Sequence, residues 1–163
     1  MDLGSAIFGA ISIMLCVLPF VIMNRKKKKK EKRIFRFLSE IAAQKNGQID
    51  QYEVFGKLAI GIDEKRKFAF FYKQTKNQTD EQSVDLGNIQ RCKVIKTTRT
   101  VRNKEGNHYI IDRLELSFVP SARNEPEIKW EFFNSDISIR VSGELQLIEK
   151  WSLLINGHLE RKK

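Results

Sequence analysis

The chain has 163 residues, of which 41% are hydrophobic and 31% charged, and its formal net charge is +10. This length corresponds to one globular domain with a further segment, and the composition excludes an intrinsically disordered chain. Residues 1–33 hold eight Lys and Arg residues against two acidic ones, whereas the rest of the chain holds 22 against 18. Because the excess is local, it does not by itself indicate a nucleic-acid-binding domain.

The first predicted element is an apolar run. Residues 3–23 contain no charged residue, and about 20 helical residues cross the hydrocarbon core of a bilayer. A cleaved signal peptide carries its positive charges before the run, whereas here they follow it. A buried core helix that is apolar on every face would need a larger protein around it. The run therefore predicts a single transmembrane anchor over residues 1–24.

A polybasic segment follows at residues 25–33. Lys and Arg accumulate at the cytoplasmic ends of membrane spans. We therefore expect the short N-terminus outside and the rest of the chain in the cytoplasm. The cluster either only sets this topology or also binds anionic lipid, which attracts each basic residue by about 1 kcal/mol near the surface. The candidate lipid-facing or anion-facing residues are Arg25, Lys26, Lys27, Lys28, Lys29, Lys30, Lys32 and Arg33.

Residues 34–46 predict an amphipathic helix or linker. Ile34, Phe37, Leu38 and Ile41 recur at helical spacing, and Gly47 supplies a stop. The helix either continues the membrane segment through the lysines or forms a separate element. We expect its apolar stripe to pack on the domain that follows.

Residues 47–163 predict a β domain, because the apolar period changes to two. The alternation predicts about five to seven antiparallel strands. Leu58, Ile60 and Ile62 share one face of a strand, and Phe68, Phe70 and Tyr72 share a face of the next. Cys92 and Val94 share one face of a later strand. The strands that follow have predicted inward positions at Leu114, Leu116, Phe118, Ile128, Trp130 and Phe132.

A C-terminal helix is predicted over residues 143–157. Ser142 is a suitable N-cap, Glu144 complements the helix dipole, and Gly157 is a natural stop. The apolar stripe of this helix fits it to cover the open end of a sheet. That stripe contains Leu147, Trp151 and Leu154.

The order of these elements resembles that of pleckstrin-homology-like domains of small bacterial membrane-anchored proteins. The resemblance is carried by "LAIGIDEKRKFAFFY", "SVDLGNIQRCKV" and "GELQLIEKW", and it covers about residues 48–157. It implies an α+β fold with a strongly bent antiparallel sheet, or partly open barrel, capped by a C-terminal helix. It also implies a scaffold that binds protein, peptide or membrane. Lipid-binding members carry basic residues between their first two strands, where this chain offers only Lys57, and this departure argues against phosphoinositide binding.

No grouping of residues indicates catalysis. His108 and His158 have no partner at metal-ligand spacing, there is no phosphate-binding glycine loop, and Cys92 on a strand is expected to be buried. Cys16 lies in the apolar run, so the two cysteines form no disulfide framework. We therefore expect no enzyme activity, no metal site, no cofactor and no small-molecule substrate.

A second basic patch lies on a predicted strand. It either faces an anionic partner or lines a strand edge, where basic residues discourage aggregation. The segment lacks interleaved aromatic residues, which argues against RNA binding. Its candidate residues are Arg91, Lys93, Lys96, Arg99 and Arg102.

Together these features favour a membrane-anchored, non-enzymatic interaction or scaffold module whose domain faces the cytoplasm and binds a protein partner. Two alternatives stay open at the level of sequence: a sensor of anionic lipid surfaces and a membrane-tethered nucleic-acid binder. Binding of a nucleic acid would weaken steeply with salt.

Overall fold

The computed structural model of the chain describes residues 27–103, 106–138 and 140–161. Helix α1 occupies residues 27–44 of this part, and helix α2 is Glu144–Glu160. A 3-10 turn, Leu86–Asn88, separates β4 from β5. The seven strands are β1 (Gln51–Phe55), β2 (Leu58–Asp63), β3 (Phe68–Gln74), β4 (Thr79–Asp85), β5 (Ile89–Asn103), β6 (Gly106–Pro120) and β7 (Ile128–Asn134).

The strands form two antiparallel sheets that share one hydrophobic core. The first sheet has the order β1-β2-β3-β4, and the second has the order β5-β6-β7. The two sheets meet through stacked rings, since Phe71 of β3 lies 5.2 Å from Trp130 of β7 between ring centroids. Helix α2 packs on the same core with Leu147, Ile148 and Trp151. Every predicted inward position of β2 and β6 is buried in this core, as the alternation predicts.

Strand β2 is buried on both faces, because a second cluster covers the other side of the first sheet. Ala59 of β2 and Phe70 and Tyr72 of β3 pack there against Ile34, Leu38, Ile41 and Ala42 of α1. At Gly61 a side-chain Cβ would lie 3.1 Å from the Leu38 side chain, so the glycine permits the close approach of α1. The apolar stripe of the first helix therefore packs on the domain, as the sequence predicts.

The predicted bent sheet or partly open barrel is wrong. The structure has two separate antiparallel sheets, and within the described residues neither sheet is closed or strongly curled. The physical reason lies between β4 and β5, where the Asp85 carboxylate accepts a hydrogen bond from the Gly87 amide at 2.7 Å and turns the chain out of the first sheet. Strand β5 then pairs with β6 rather than with β4.

The transmembrane part of the predicted fold class is also corrected. Over residues 27–103, 106–138 and 140–161, neither helix has the length and apolar character needed to cross a membrane. The predicted anchor over residues 1–24 lies outside the described residues. What the structure contains instead is an α+β domain with two amphipathic helices.

Several element boundaries differ from the sequence-based expectation. Helix α1 includes the lysines from residue 27 onwards, so the described part of the polybasic segment belongs to the same element as the amphipathic helix. Helix α2 has Gly143 rather than Ser142 as its N-cap, and it runs through Gly157 to Glu160. Ile128 at the start of β7 is exposed rather than inward, because the strand begins at the rim of the core.

The outer edge of β5 is closed by a side chain of α2. Asn156 Oδ1 accepts a hydrogen bond from the backbone N–H of Cys92 at 2.8 Å, and Asn156 Nδ2 donates to the Cys92 carbonyl at 2.8 Å. The amide thus makes the two bonds that a neighbouring strand would make at this position. This contact is one reason why the second sheet ends at β5.

Replacement of Asn156 by alanine is expected to lower the free energy of unfolding by about 1–3 kcal/mol, because the part-buried backbone groups of Cys92 lose their partner. Urea unfolding of the Asn156→Ala chain measures this loss. Asn77→Ala, at an exposed position in a turn, is the matched control and should change the free energy by less than about 0.5 kcal/mol. An Asn156→Ala chain as stable as the parent would show that the amide does not close the edge.

Candidate functional site

Helix α1 presents two opposite faces. Ile34, Leu38 and Ile41 are buried against the first sheet. On the other side Lys29, Lys32, Arg33 and Arg36 recur at i, i+3, i+4 and i+7, the spacing that aligns side chains along one face of a helix. All four of these side chains are exposed. We call these four residues the cationic face.

The charges of this face are largely unneutralised. Arg36 pairs with Glu40 at 3.0 Å on the helix surface, where such a pair contributes little. No carboxylate in the described part of the chain comes within ion-pair distance of Lys29, Lys32 or Arg33. Clustered like charges repel one another and oppose the compact state. The fold therefore gains little from these cations, and they remain available to an external anion.

The structure gathers most of the first candidate set on this helix. Six of its residues are exposed on the first turns of α1: Lys27, Lys28, Lys29, Lys30, Lys32 and Arg33. Arg25 and Lys26 lie outside the described residues. Arg36 was missed, because the polybasic segment and the amphipathic helix were treated as separate elements. The i, i+3, i+4, i+7 spacing from Lys29 would have found it.

The second basic patch is not a continuous unneutralised surface. Each of its three central cations pairs with a carboxylate brought from another element. The pairs are Lys93 with Glu127 at 2.7 Å, Lys96 with Glu149 at 2.6 Å and Arg99 with Asp112 at 3.5 Å. Arg91 and Arg102 stand at either end of the patch without an ion pair among the described residues. Hydrogen bonds from Lys93 and then Ser117 lower the pKa of Glu127, which therefore stays charged and keeps its partner.

The residues considered for catalysis lie apart. His108 is exposed on β6, while His158 is in the last turn of α2 with Nε2 3.8 Å from Glu64 Oε1. Burial raises the pKa of the Cys92 thiol to about 12, so the thiolate that a nucleophile or metal ligand needs is not formed near neutral pH. In the part of the chain that the structure describes, no three His, Cys, Asp or Glu side chains are close enough to hold a metal ion.

Asp63 has a role that the sequence does not reveal. It lies at the end of β2 with a relative exposure of 2%. Its carboxylate accepts hydrogen bonds from the backbone N–H groups of Gln48 at 2.7 Å and Arg66 at 2.8 Å. It therefore ties the segment after α1 to the turn between β2 and β3. This tie helps to fix α1, and with it the cationic face, relative to the first sheet.

Fold and site together define an α+β domain that carries an exposed cationic helix on one sheet. No protein-family model, curated protein or solved structure matches the chain. The resemblance to pleckstrin-homology-like domains stays a prediction.

Proposed function

We propose that this protein is a non-enzymatic interaction module that works at the cytoplasmic side of a membrane, with the cationic face of α1 against anionic lipid headgroups. The proposal rests on one observation: one side of α1 is apolar, and the opposite side is cationic. The apolar side packs against the first sheet, whereas the cationic face has only one ion pair among the described residues.

The physical argument concerns the size of the attraction. Each Lys or Arg near an anionic leaflet contributes about 1 kcal/mol of attraction, and the effect decays within a Debye length. Four cations on one helical face therefore supply about 4 kcal/mol, enough to orient the domain at an anionic surface.

Lipid is a better match than nucleic acid for this surface. Single-stranded nucleic acids are bound by cationic grooves whose exposed aromatic side chains stack on bases. The cationic face consists of Lys and Arg alone, with no aromatic residue among its four members. The cations of the second patch are mostly paired with carboxylates, so that patch does not extend the surface.

The test is flotation of the full chain with vesicles of phosphatidylcholine alone and with vesicles that also contain phosphatidylserine. A variant in which Lys29, Lys32, Arg33 and Arg36 are all replaced by glutamine is expected to lose the added affinity for the anionic vesicles. At about 1 kcal/mol per cation, this loss is two to three orders of magnitude in the partition coefficient. Raising the salt concentration should reduce the affinity of the parent chain in the same direction.

The matched control removes the same number of exposed charges elsewhere, at Lys45, Lys65, Arg123 and Lys129. This control should keep a large part of the added affinity, because those residues do not share the cationic face. If both quadruple variants bind anionic vesicles as the parent chain does, the lipid-facing role is contradicted.

A further inference from the structure

Among the described residues, strand β1 is an edge of the first sheet and pairs only with β2. The two strands are joined by the two-residue turn Gly56-Lys57, in which Gly56 has φ 62°, as the first position of a type II′ turn requires. The closing pair Phe55–Leu58 of such a turn is hydrogen-bonded, and hydrogen-bonded pairs alternate with non-bonded ones along the ladder. The backbone N–H and C=O groups of Tyr52 and Val54 therefore point away from β2, to the open edge.

A groove runs beside this edge, between β1 and α1. On the helix side it is lined by Lys28, Glu31, Lys32 and Phe35, which share one flank of α1 at i, i+3, i+4 and i+7. On the sheet side it is lined by Tyr52, Glu53 and Val54. The ring centroids of Phe35 and Tyr52 are 4.0 Å apart, and Tyr52 is 51% exposed. The groove thus combines backbone groups that are unpaired within the described part of the chain with an aromatic wall.

We propose that the edge of β1 binds an extended segment of a partner protein, which adds a strand to the first sheet in this groove. Addition of a strand to an exposed edge is a general mode of peptide recognition, in which main-chain hydrogen bonds give affinity and side-chain pockets give specificity. The inference rests on the proposed function as an interaction module, and it names the chemical class of the partner.

The charges around the groove indicate an acidic segment. Lys28 and Lys32 have no ion pair within the described residues. The carboxylate of Glu53 faces away from α1, because its Oε2 atom accepts hydrogen bonds from Lys150 at 2.7 Å and Trp151 at 3.1 Å. Glu31 is the one acid on the flank of α1 that lines the groove. A segment that places acidic side chains beside Lys28 and Lys32 and an apolar one beside Phe35 complements this surface.

The same charges oppose a second copy of the chain at this edge. Pairing of β1 with β1 across a two-fold axis would bring the lysines of both α1 helices to one seam, where like charges repel. The contrast with β5 is also informative, since the edge of that strand is closed at Cys92 by Asn156. No such side chain covers Tyr52 or Val54 among the described residues.

The experiment uses the full chain in a non-ionic detergent and a short synthetic peptide of alternating glutamate and valine. Addition of the peptide is expected to shift the backbone amide resonances of Tyr52 and Val54 and to slow their hydrogen exchange. A peptide of alternating lysine and valine is the charge control and should bind at least several-fold more weakly. The double variant Lys28→Gln/Lys32→Gln should weaken binding of the acidic peptide by about two- to thirty-fold, as for two exposed ion pairs. The double variant Lys65→Gln/Lys129→Gln should bind as the parent does.

The backbone contribution is tested separately. Val54→Pro removes the outward N–H and is tolerated best on an edge strand, so this variant should lose peptide binding while the indole resonance of Trp130 in the core is unchanged. If Val54→Pro does not fold, N-methylation of the peptide at alternate positions replaces it. Methylation in one register should abolish binding, and methylation in the other should not.

Equal binding of the acidic and basic peptides, or resonances of Tyr52 and Val54 that do not move, would overturn the proposal. Concentration-dependent shifts of these two amides without peptide would overturn it in favour of a second copy. The measurement contains no vesicle, and Val54→Pro leaves the cationic face intact. Failure here is therefore distinguishable from failure of the lipid experiment.

Discussion

Replacement of Trp151 by alanine is expected to lower the free energy of unfolding by about 3–5 kcal/mol, a large part of the stability of a domain of this size. Trp151 is 2% exposed in the core that α2 shares with both sheets. Its Nε1 atom also donates to Glu53 Oε2 at 3.1 Å and so joins the helix to β1. The substitution removes this apolar contact and the hydrogen bond together. Urea unfolding followed by circular dichroism measures the loss.

The same helix supplies the control. Leu153 lies two residues further along α2 and is 76% exposed, so Leu153→Ala should change the stability by less than about 0.5 kcal/mol. If Trp151→Ala does not fold, Trp151→Phe keeps most of the apolar volume and should fold with a smaller loss. Equal stability of Trp151→Ala and Leu153→Ala would contradict the placement of α2 on the core.

Replacement of Asp63 by alanine is the second change with a large expected effect. The N–H groups of Gln48 and Arg66, whose hydrogen bonds to Asp63 are part-buried, would both lose their acceptor. At about 1–2 kcal/mol for each part-buried hydrogen bond that is lost, we expect a loss of about 2–4 kcal/mol in the free energy of unfolding. Amide hydrogen exchange should also become faster in α1, because Asp63 ties the segment that follows this helix to the first sheet. Asp136→Ala, at an exposed turn position, should do neither.

The contribution of Asp63 depends on pH in a defined direction. Burial alone would raise the pKa of its carboxyl group, but hydrogen bonds from the backbone N–H groups of Arg66, Gln48 and Lys65 outweigh burial and lower the pKa below the usual value of 3.8. The unfolded chain therefore binds the proton more readily than the folded chain. The stabilisation is complete above pH 3.8 and is lost as the pH falls through the lower folded pKa.

Measurement of the free energy of unfolding at a series of pH values tests this direction. The difference in free energy of unfolding between the parent chain and Asp63→Ala should be constant near neutral pH and should shrink below about pH 4. A difference that grew with acidification would show that the carboxyl group is protonated in the folded state.

The two proposed surfaces lie on the same helix and use different flanks of it. The cationic face points away from the first sheet, whereas the flank with Lys28, Glu31, Lys32 and Phe35 borders the edge of β1. Lys32 belongs to both surfaces. An α1 helix against a lipid surface would therefore place the β1 edge near the membrane, within reach of a partner that is also held there.

The residues of a strand that face the core could be predicted, because they depend only on the local alternation of apolar and polar residues. Leu58, Ile60 and Ile62 point into the core as their period of two requires. The apolar stripe of α1 was likewise predictable, since a helix places residues three and four apart on one face. Ile128 is the exception, because whether the first residue of a strand is covered depends on what lies beyond the rim of the core.

The sequence by itself determined the α+β composition, the inward faces of the strands and the concentration of cations at residues 25–36, because each depends on neighbours along the chain. Only the tertiary structure decided that the strands form two sheets and that an amide of α2 closes the β5 edge. It also decided which cations are neutralised: Lys93 and Lys96 pair with carboxylates 34 and 53 residues away. Such contacts form between segments that are far apart in the sequence, and a local sequence pattern does not show which distant segments meet.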